Sequence, residues 1–398
     1  MLAFQDLVQD VLANGKLYSN GKGKCLGVIG AQVKYDISNT IPVVTAKKTN
    51  FRWAMVEMAM FIKGISHIDF LKPYGAEKLW EGQALSEDHI VETIRPPLEV
   101  IKEFSEKTNT SVDEATKFMN ERAQQYSDAK VALIGRLAPA EELGVEITEG
   151  EYLSQDEYKT KIQELETWLA EPFVELGIEI RIPKTVRTKG DLGPIYGSQW
   201  RSWTGIAPNG KTVRIDQIKD IIGKLRRAST TRQAILTSWN PLNIVDESYS
   251  YDDKIKAGLM GQPPCHVNYH FLVRENEEGE LALNTTVWLR SNDLMLGHPF
   301  NAIGATVLTH LMANELGFKV GQLTMQISDA HLYEEHIEGA KEYCERPVHD
   351  VPTFNLPKEV TVFNFEVEDL LNAVGEYSHE PYMPFPLKTR VEKEEITK

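Results

Sequence analysis

Cysteine is scarce in this sequence: Cys25, Cys265 and Cys344 are the only three in 398 residues. So few, and an odd number, exclude a disulfide framework, and no Cys-x-x-Cys pair or clustered His and Cys spacing offers a zinc site, so no metal is expected. Long apolar runs are also missing; none approaches the roughly 18 residues of a membrane-spanning helix. The opening Met1-Leu2-Ala3-Phe4-Gln5-Asp6 has neither the basic nor the apolar region of a secretory signal. Positive charge is in deficit, with 43 Lys and Arg against 58 Asp and Glu and a net charge of −15. A broad phosphate-backbone surface needs clustered Lys and Arg, so direct nucleic-acid binding is not expected, and any anionic ligand must meet a local basic site. Internal repeats and low-complexity tracts are absent. These absences lead us to expect a soluble, cytoplasmic protein with reduced thiols.

What is present is ordinary globular composition, 42% hydrophobic and 25% charged, in a chain long enough to bury a large core. Short apolar runs alternating with Gly and Asn turns predict two or three strands after a short N-terminal helix in residues 1–50. Residues 51–71 read as a helix apolar over most of its surface, and such a helix is buried. It carries one acid, Glu57. A buried, unpaired carboxylate is costly, so Glu57 is either satisfied as a core residue or kept for chemistry.

Between residues 84 and 189 the composition changes, with 22 acidic against 13 basic residues. Helical spacing over 98–126 and 155–176, broken by Leu137-Ala138-Pro139-Ala140, predicts a mostly helical, solvated insertion. We expect a catalytic domain from residues 1–83 and 190–398, interrupted by this acidic insertion. Beyond it come a Gly-rich, aromatic-rich loop at 190–201 and a helix at 217–226. Strands are expected near 234–239, 267–273, 281–289, 324–327 and 360–365, and a long buried helix over 300–316.

The stretch Gly261-Gln262-Pro263-Pro264-Cys265-His266-Val267 places a cysteine and a histidine between prolines and an alternating run. Prolines fix φ and lack N–H donors, so Cys265 should leave a stiff loop directly into a strand, the mount a nucleophile needs. On this stretch alone, a lone cysteine beside a strand is more often a small buried hydrophobe.

Four ordered stretches carry a resemblance. Residues Gly193-Pro194-Ile195-Tyr196-Gly197-Ser198-Gln199-Trp200-Arg201, Pro264-Cys265-His266, Arg290-Ser291-Asn292-Asp293-Leu294-Met295-Leu296-Gly297-His298-Pro299-Phe300-Asn301 and Asp329-Ala330-His331-Leu332-Tyr333 resemble the signatures of the thymidylate synthase family. The resemblance covers about residues 15–83 and 190–370. It implies an α/β (α+β) fold, a large mixed sheet with flanking helices, to which the helical insertion is added. It also implies a homodimer, a deoxyuridylate (dUMP) substrate and 5,10-methylenetetrahydrofolate as the one-carbon donor.

On that resemblance Cys265 would add to C6 of the pyrimidine, helped by the nearby Arg290 guanidinium. Arg290 and Ser291 would hold the 5′-phosphate, with Arg232 reaching across from the second subunit. His331 and Tyr333 would bond the ribose hydroxyl, and His266 would stand with the substrate-binding residues. Asn301 would read the base: an amide suits uracil's O4 and N3–H, whereas the deoxycytidylate enzymes of the family carry an acid there. Glu57, through waters, and Tyr196 would move protons. Asp293 would bond the pterin, Trp80 would form part of the folate wall, and Gln83 and Gly297 would complete that site.

The departures from the family pattern are specific. Gln83 stands where the synthases usually place a second Trp, and residues 390–398, Arg-Val-Glu-Lys-Glu-Glu-Ile-Thr-Lys, are charged rather than apolar. The early phosphate-binding Arg is missing, with Lys22 or Lys24 as substitutes; Gln233 and Leu289 are further departures. Arg290-Ser291-Asn292-Asp293 and Ile29-Gly30-Ala31 are similar to phage deoxycytidylate hydroxymethylases. Both reactions pass through an exocyclic methylene on the ring. Hydride from the folate gives thymidylate, water gives 5-hydroxymethyl-dUMP, and exclusion of water decides between them. The departures point to a dUMP hydroxymethylase of the phage kind, acting in the host cytoplasm. A thymidylate synthase is the alternative, and a non-catalytic acidic scaffold working through residues 84–189 is a third reading.

Overall fold

The structure is a computed structural model that describes residues 2–92, 98–134, 155–178, 184–206, 212–245 and 248–386. The chain divides into two compact units, residues 1–88 with 188–398, and residues 89–187.

The larger unit opens with helix α1 (Leu2–Asn14), whose Phe4, Leu7, Val8 and Val11 recur at helical spacing and are buried. A tight turn at Gly21 and Lys22 joins strands β1 (Lys16–Asn20) and β2 (Gly23–Asp36) in an antiparallel hairpin. Helix α2 (Phe51–Ile62) buries eight of its twelve residues, as its composition requires. It stops nine residues short of the expected end: residues 68–83 fold instead into four short 3-10 turns. Pro73 and the left-handed Gly75 (φ 65°) within that run suit turns rather than a continuing α-helix.

The smaller unit holds β3 (His89–Glu92), α3 (Leu98–Thr108), α4 (Val112–Ile134), α5 (Gln155–Glu175) and β4 (Lys184–Arg187), with β3 and β4 paired antiparallel. Asn109, at φ 54°, takes the left-handed conformation after α3. Ser111 then opens α4 with a reciprocal cap, Glu114 N–H to Ser111 Oγ (3.2 Å) and Ser111 N–H to Glu114 Oε2 (2.9 Å). Its core is small: Phe104, Ala115, Met119, Phe173 and Ile178. The expected break at residues 137–140 lies outside the described residues.

The larger unit resumes with α6 (Tyr196–Ser202), β5 (Trp203–Ile206), β6 (Thr212–Ile215), α7 (Gln217–Arg227), β7 (Ile235–Thr237) and α8 (Tyr251–Lys256). Then follow β8 (His266–Glu275), β9 (Leu281–Leu289), β10 (Asn292–Asp293), α9 (Gly297–Leu316), β11 (Lys319–Tyr333), α10 (Ile337–Glu345) and α11 (Val367–Asn372). Among the described residues the main sheet has seven strands, ordered β1-β2-β11-β9-β8-β7, with β10 paired to β11. It is mixed: β9 and β11 run parallel across the α9 crossover, and the other pairs along that order are antiparallel. This is the α/β architecture of a large mixed sheet with flanking helices that the motifs imply.

Two further expectations are corrected. The Gly-rich stretch at 190–201 is a loop only as far as Ile195, after which α6 begins. Residues 360–365 form turns rather than a strand. Val360, Val362 and Phe365 are buried, so the alternating apolar pattern is real, but the segment bonds to α9: Val362 N–H donates to Leu311 O (3.2 Å) and Asn314 Nδ2 to Val360 O (2.8 Å).

Helix α9 is buried along most of its length and packs on α2, β9 and β11. Gly304 permits that approach, since a Cβ there would lie 2.7 Å from Met58 Cε. Among the described residues no helix is long and apolar enough to cross a membrane.

Candidate active site

Cys265 immediately precedes β8, and its backbone is held from both sides. Arg290, following β9, donates from Nε to the Pro264 carbonyl (2.9 Å) and from Nη2 to the Pro263 carbonyl (3.1 Å). The Arg290 N–H donates to the Cys265 carbonyl (3.0 Å), and the Cys265 N–H donates to Tyr196 Oη (2.8 Å). Two prolines and these four bonds fix the loop, and the half-exposed thiol is left to meet a ligand. Arg290 thus acts first as a clamp on the Cys265 loop. The other two thiols are held protonated: burial pushes Cys25 up to about 12 and Cys344 up to about 11, with carboxylates nearby adding to both.

Behind Cys265 stands an aromatic wall. Tyr196 opens α6, and its ring is sandwiched between Phe61 of α2 (centroids 4.5 Å apart) and His266 (4.2 Å). Gly197 lets α6 come this close to α2, because a Cβ there would lie 2.7 Å from the Phe61 carbonyl oxygen. Burial, then the neighbouring Cys265, holds the Tyr196 hydroxyl well above its ordinary pKa, so it stays protonated. His266 is only 4% exposed and faces Tyr269 Oη with Nδ1 at 2.9 Å. Burial pushes its pKa down to about 3, which makes it a neutral wall residue rather than a lining residue of the cleft.

Glu57 projects from α2 and accepts a hydrogen bond from Trp80 Nε1 at 2.7 Å. Burial pushes its carboxyl up to about 7, against the indole N–H, which pulls it down. A carboxyl poised near neutrality can give and take a proton.

In front of Cys265 lies a cleft of about 400 Å³, which brings together Lys22, Gln83, Arg290, Ser291, Asp293, His331 and Tyr333 of the expected residues. Strand β11 delivers His331 and Tyr333 side by side with Asp329. Asp329 accepts from Tyr18 Oη (2.7 Å) and Ser291 Oγ (3.3 Å). His331 Nδ1 lies 3.2 Å from Asp329 Oδ2, and its Nε2 is buried with no hydrogen-bond partner among the described residues. A buried imidazole left in that state suits a ligand hydroxyl. Burial raises the Tyr333 hydroxyl above its ordinary range. Asp293 lines the cleft but also braces its own turn, accepting from Met295 N–H (3.0 Å) and Leu296 N–H (3.2 Å).

Other expected residues stand apart from this cleft. Lys24 is exposed on β2 and pairs with Ser19, next to the cleft-lining Asn20, so alternation turns it to the other face; Lys22, in the hairpin turn, is the one that reaches in. Arg232 is exposed in the loop before β7. Asn301 and Gly297, on the first turns of α9, cluster with Asn292 and Asp293: a Cβ on Gly297 would lie 4.0 Å from Asn301 Nδ2 and 3.8 Å from Asn292 Nδ2. Residues 390–398 lie outside the described residues.

Tyr251, Lys254, Gln262 and Asp329 also line the cleft; the sequence reading gave none of them a role, although Asp329 opens the fourth motif. Lys254 is only 3% exposed. The signal that could have found its helix is Ser250, which caps α8 through the Asp253 N–H (3.1 Å). Among the described residues no cluster of three or more His, Cys, Asp and Glu could hold a metal.

A cysteine braced by a proline loop, beside a cleft with cations and unsatisfied hydrogen-bonding atoms, is the equipment of an enzyme that bonds covalently to a small anionic substrate. The profile described as thymidylate synthase matches residues 2–389, a wider span than the four motifs cover. The thymidylate synthase of Listeria innocua serovar 6a is 28% identical over 389 residues, covering 97% of this chain and 99% of its own. That of Listeria monocytogenes serotype 4a is 27% identical with the same coverage. The chain belongs to the thymidylate synthase family, transferases of nucleotide biosynthesis that act on dUMP with methylenetetrahydrofolate as cosubstrate.

Proposed function

We propose that the chain transfers the one-carbon unit to C5 of dUMP and releases it as 5-hydroxymethyl-dUMP with tetrahydrofolate. The observation that carries this reading is Gln83, which lines the cleft in front of Cys265 and is an amide where the synthase pattern has an indole. An amide there favours water at the face where a hydride would otherwise arrive.

In this reading the Cys265 thiolate adds to C6, and negative charge moves to C5 and O4. C5 takes up the methylene, and Glu57 and Tyr196 handle the protons that leave C5 and reach O4. Lys22, Arg290 and Ser291 meet the 5′-phosphate, and His331 and Tyr333 the ribose hydroxyl. Asn301 reads uracil, with Gly297 and Asn292 shaping its surroundings. Asp293 and Trp80 meet the folate. Exposed Arg232 reaches the phosphate of a partner subunit in a homodimer. The acidic helical unit stands outside this chemistry.

The relatives' own names favour a second reading, thymidylate synthesis. The deciding experiment incubates the protein with dUMP and methylenetetrahydrofolate and measures nucleotide mass and dihydrofolate absorbance. A hydroxymethyl nucleotide without dihydrofolate is the expected result. A methyl nucleotide with stoichiometric dihydrofolate would overturn it in favour of the synthase.

A further inference from the structure

Gln262 lines the cleft three residues before Cys265, and its Oε1 is buried with no hydrogen-bond partner among the described residues. Buried carboxamide oxygens are ordinarily satisfied, so this atom calls for a ligand donor. Its backbone is fixed on both sides. Gly261 N–H donates to Leu192 O (3.1 Å), and Pro263 O accepts from Arg290. Gly261 is also pressed against Gln83, since a Cβ on it would lie 3.0 Å from the Gln83 carbonyl oxygen. The fold therefore sets two carboxamides, Gln83 and Gln262, on adjoining stretches of one cleft that also contains the thiol.

We infer that Gln262 is a specificity-determining residue: its Oε1 accepts a hydrogen bond from the water that attacks the exocyclic methylene of the substrate. The inference rests on the hydroxymethylation reading. In the step it serves, the water oxygen bonds to the methylene carbon, and the electron pair of the exocyclic double bond moves through C5 to O4. The surplus water proton passes to a base, the role that the hydroxymethylation reading gives to Glu57. The resulting enolate re-forms the C5–C6 double bond and expels the Cys265 thiolate from C6. No oxidant or reductant is consumed. Gln262 holds the nucleophile; a side chain of similar size without an acceptor would leave that position dry.

The test compares wild type, Gln262→Leu and Gln262→Glu, each with dUMP and methylenetetrahydrofolate in ¹⁸O water, by mass spectrometry of the nucleotide. Wild type is expected to give ¹⁸O-labelled hydroxymethyl product. Q262L is expected to lower the hydroxymethyl share at least about tenfold, corresponding to one lost hydrogen bond in the attack step. Q262E, which keeps an acceptor, retains most of it. Q262L must still form the covalent adduct with 5-fluoro-dUMP and cosubstrate, because that bond precedes water attack. Without ligand, Q262L should melt about 2 °C higher, since it loses an unsatisfied buried acceptor. An unchanged hydroxymethyl share in Q262L would overturn the inference while leaving the proposed function standing. Loss of the adduct in a folded Q262L would overturn it by placing Gln262 in substrate binding. A wild type that makes only methyl product would fail the proposed function itself, before any variant is measured.

Discussion

Behind Cys265 the polar atoms of the wall are satisfied within the protein. Tyr196 Oη accepts the Cys265 N–H, Trp200 Nε1 donates to Ser238 Oγ (2.8 Å), Trp80 Nε1 donates to Glu57, and His266 Nδ1 meets Tyr269 Oη. In front, among the described residues, Gln262 Oε1 and His331 Nε2 are buried without a hydrogen-bond partner, and His331 Nδ1 meets only the Asp329 carboxylate. The wall is aromatic and interlocked around the one carboxyl of Glu57, whereas the cleft holds Lys22, Lys254 and Arg290 with Asp293 and Asp329. An orphaned buried polar group costs about 1–3 kcal/mol, and such costs recur where a ligand will supply the missing bonds. The wall is thus already in its working arrangement, and the cleft is completed by what it binds.

The comparison turns on one thiol, so Cys265→Ser should break it most severely. Turnover is expected to fall at least about 10³-fold, and the mass-spectrometric adduct with 5-fluoro-dUMP and cosubstrate should vanish. A surviving adduct would mean that another thiol is the nucleophile.

Glu57→Gln tests whether the wall contributes chemistry as well as support. We expect kcat to fall about 10²-fold and the inflection of the pH–rate profile near neutrality to disappear. Stability should move with pH as well. The carboxyl is raised from 4.5 to about 7, so the stability its protonated form lends is full below 4.5 and is lost as pH rises through about 7. The neutral variant has no such loss, so its thermal midpoint should gain on that of wild type over that window. A constant difference across the window would contradict the buried assignment of Glu57.

The smallest effect concerns the cleft's edge. Lys22→Ala should raise the KM for dUMP about tenfold with little change in kcat, because a charge contact to phosphate is made in ground and transition states alike. Lys24→Ala, on the exposed side of the same hairpin, should leave KM within about twofold. Equal effects would place the phosphate outside the cleft.

Much of the wall was legible in the sequence, because its signals are local or fall within one motif. The apolar pattern of residues 51–71, with Glu57 set in it, predicts a buried helix around that carboxyl, and the helix is there although it ends at Ile62. The prolines before Cys265 announce a stiff mount. The cleft was less legible. The alternation around Lys22, Gly23 and Lys24 does not say which lysine turns inward until β1 and β2 are registered at Asn20 and Gly23. Lys254 and Gln262 lack a motif of their own and acquire their position through tertiary packing. Residues 360–365 show the converse: an apolar pattern of strand type was satisfied by bonding to α9 instead of to a neighbouring strand.

The three sulfurs have one more consequence, a practical one. Cys25 and Cys344 are held as thiols at neutral pH by burial and by nearby carboxylates, while Cys265 opens onto the cleft. A maleimide offered briefly to the folded chain is therefore expected to label Cys265 first. The mass gained per molecule counts competent sites, and protection by dUMP in that assay gives its affinity without any turnover.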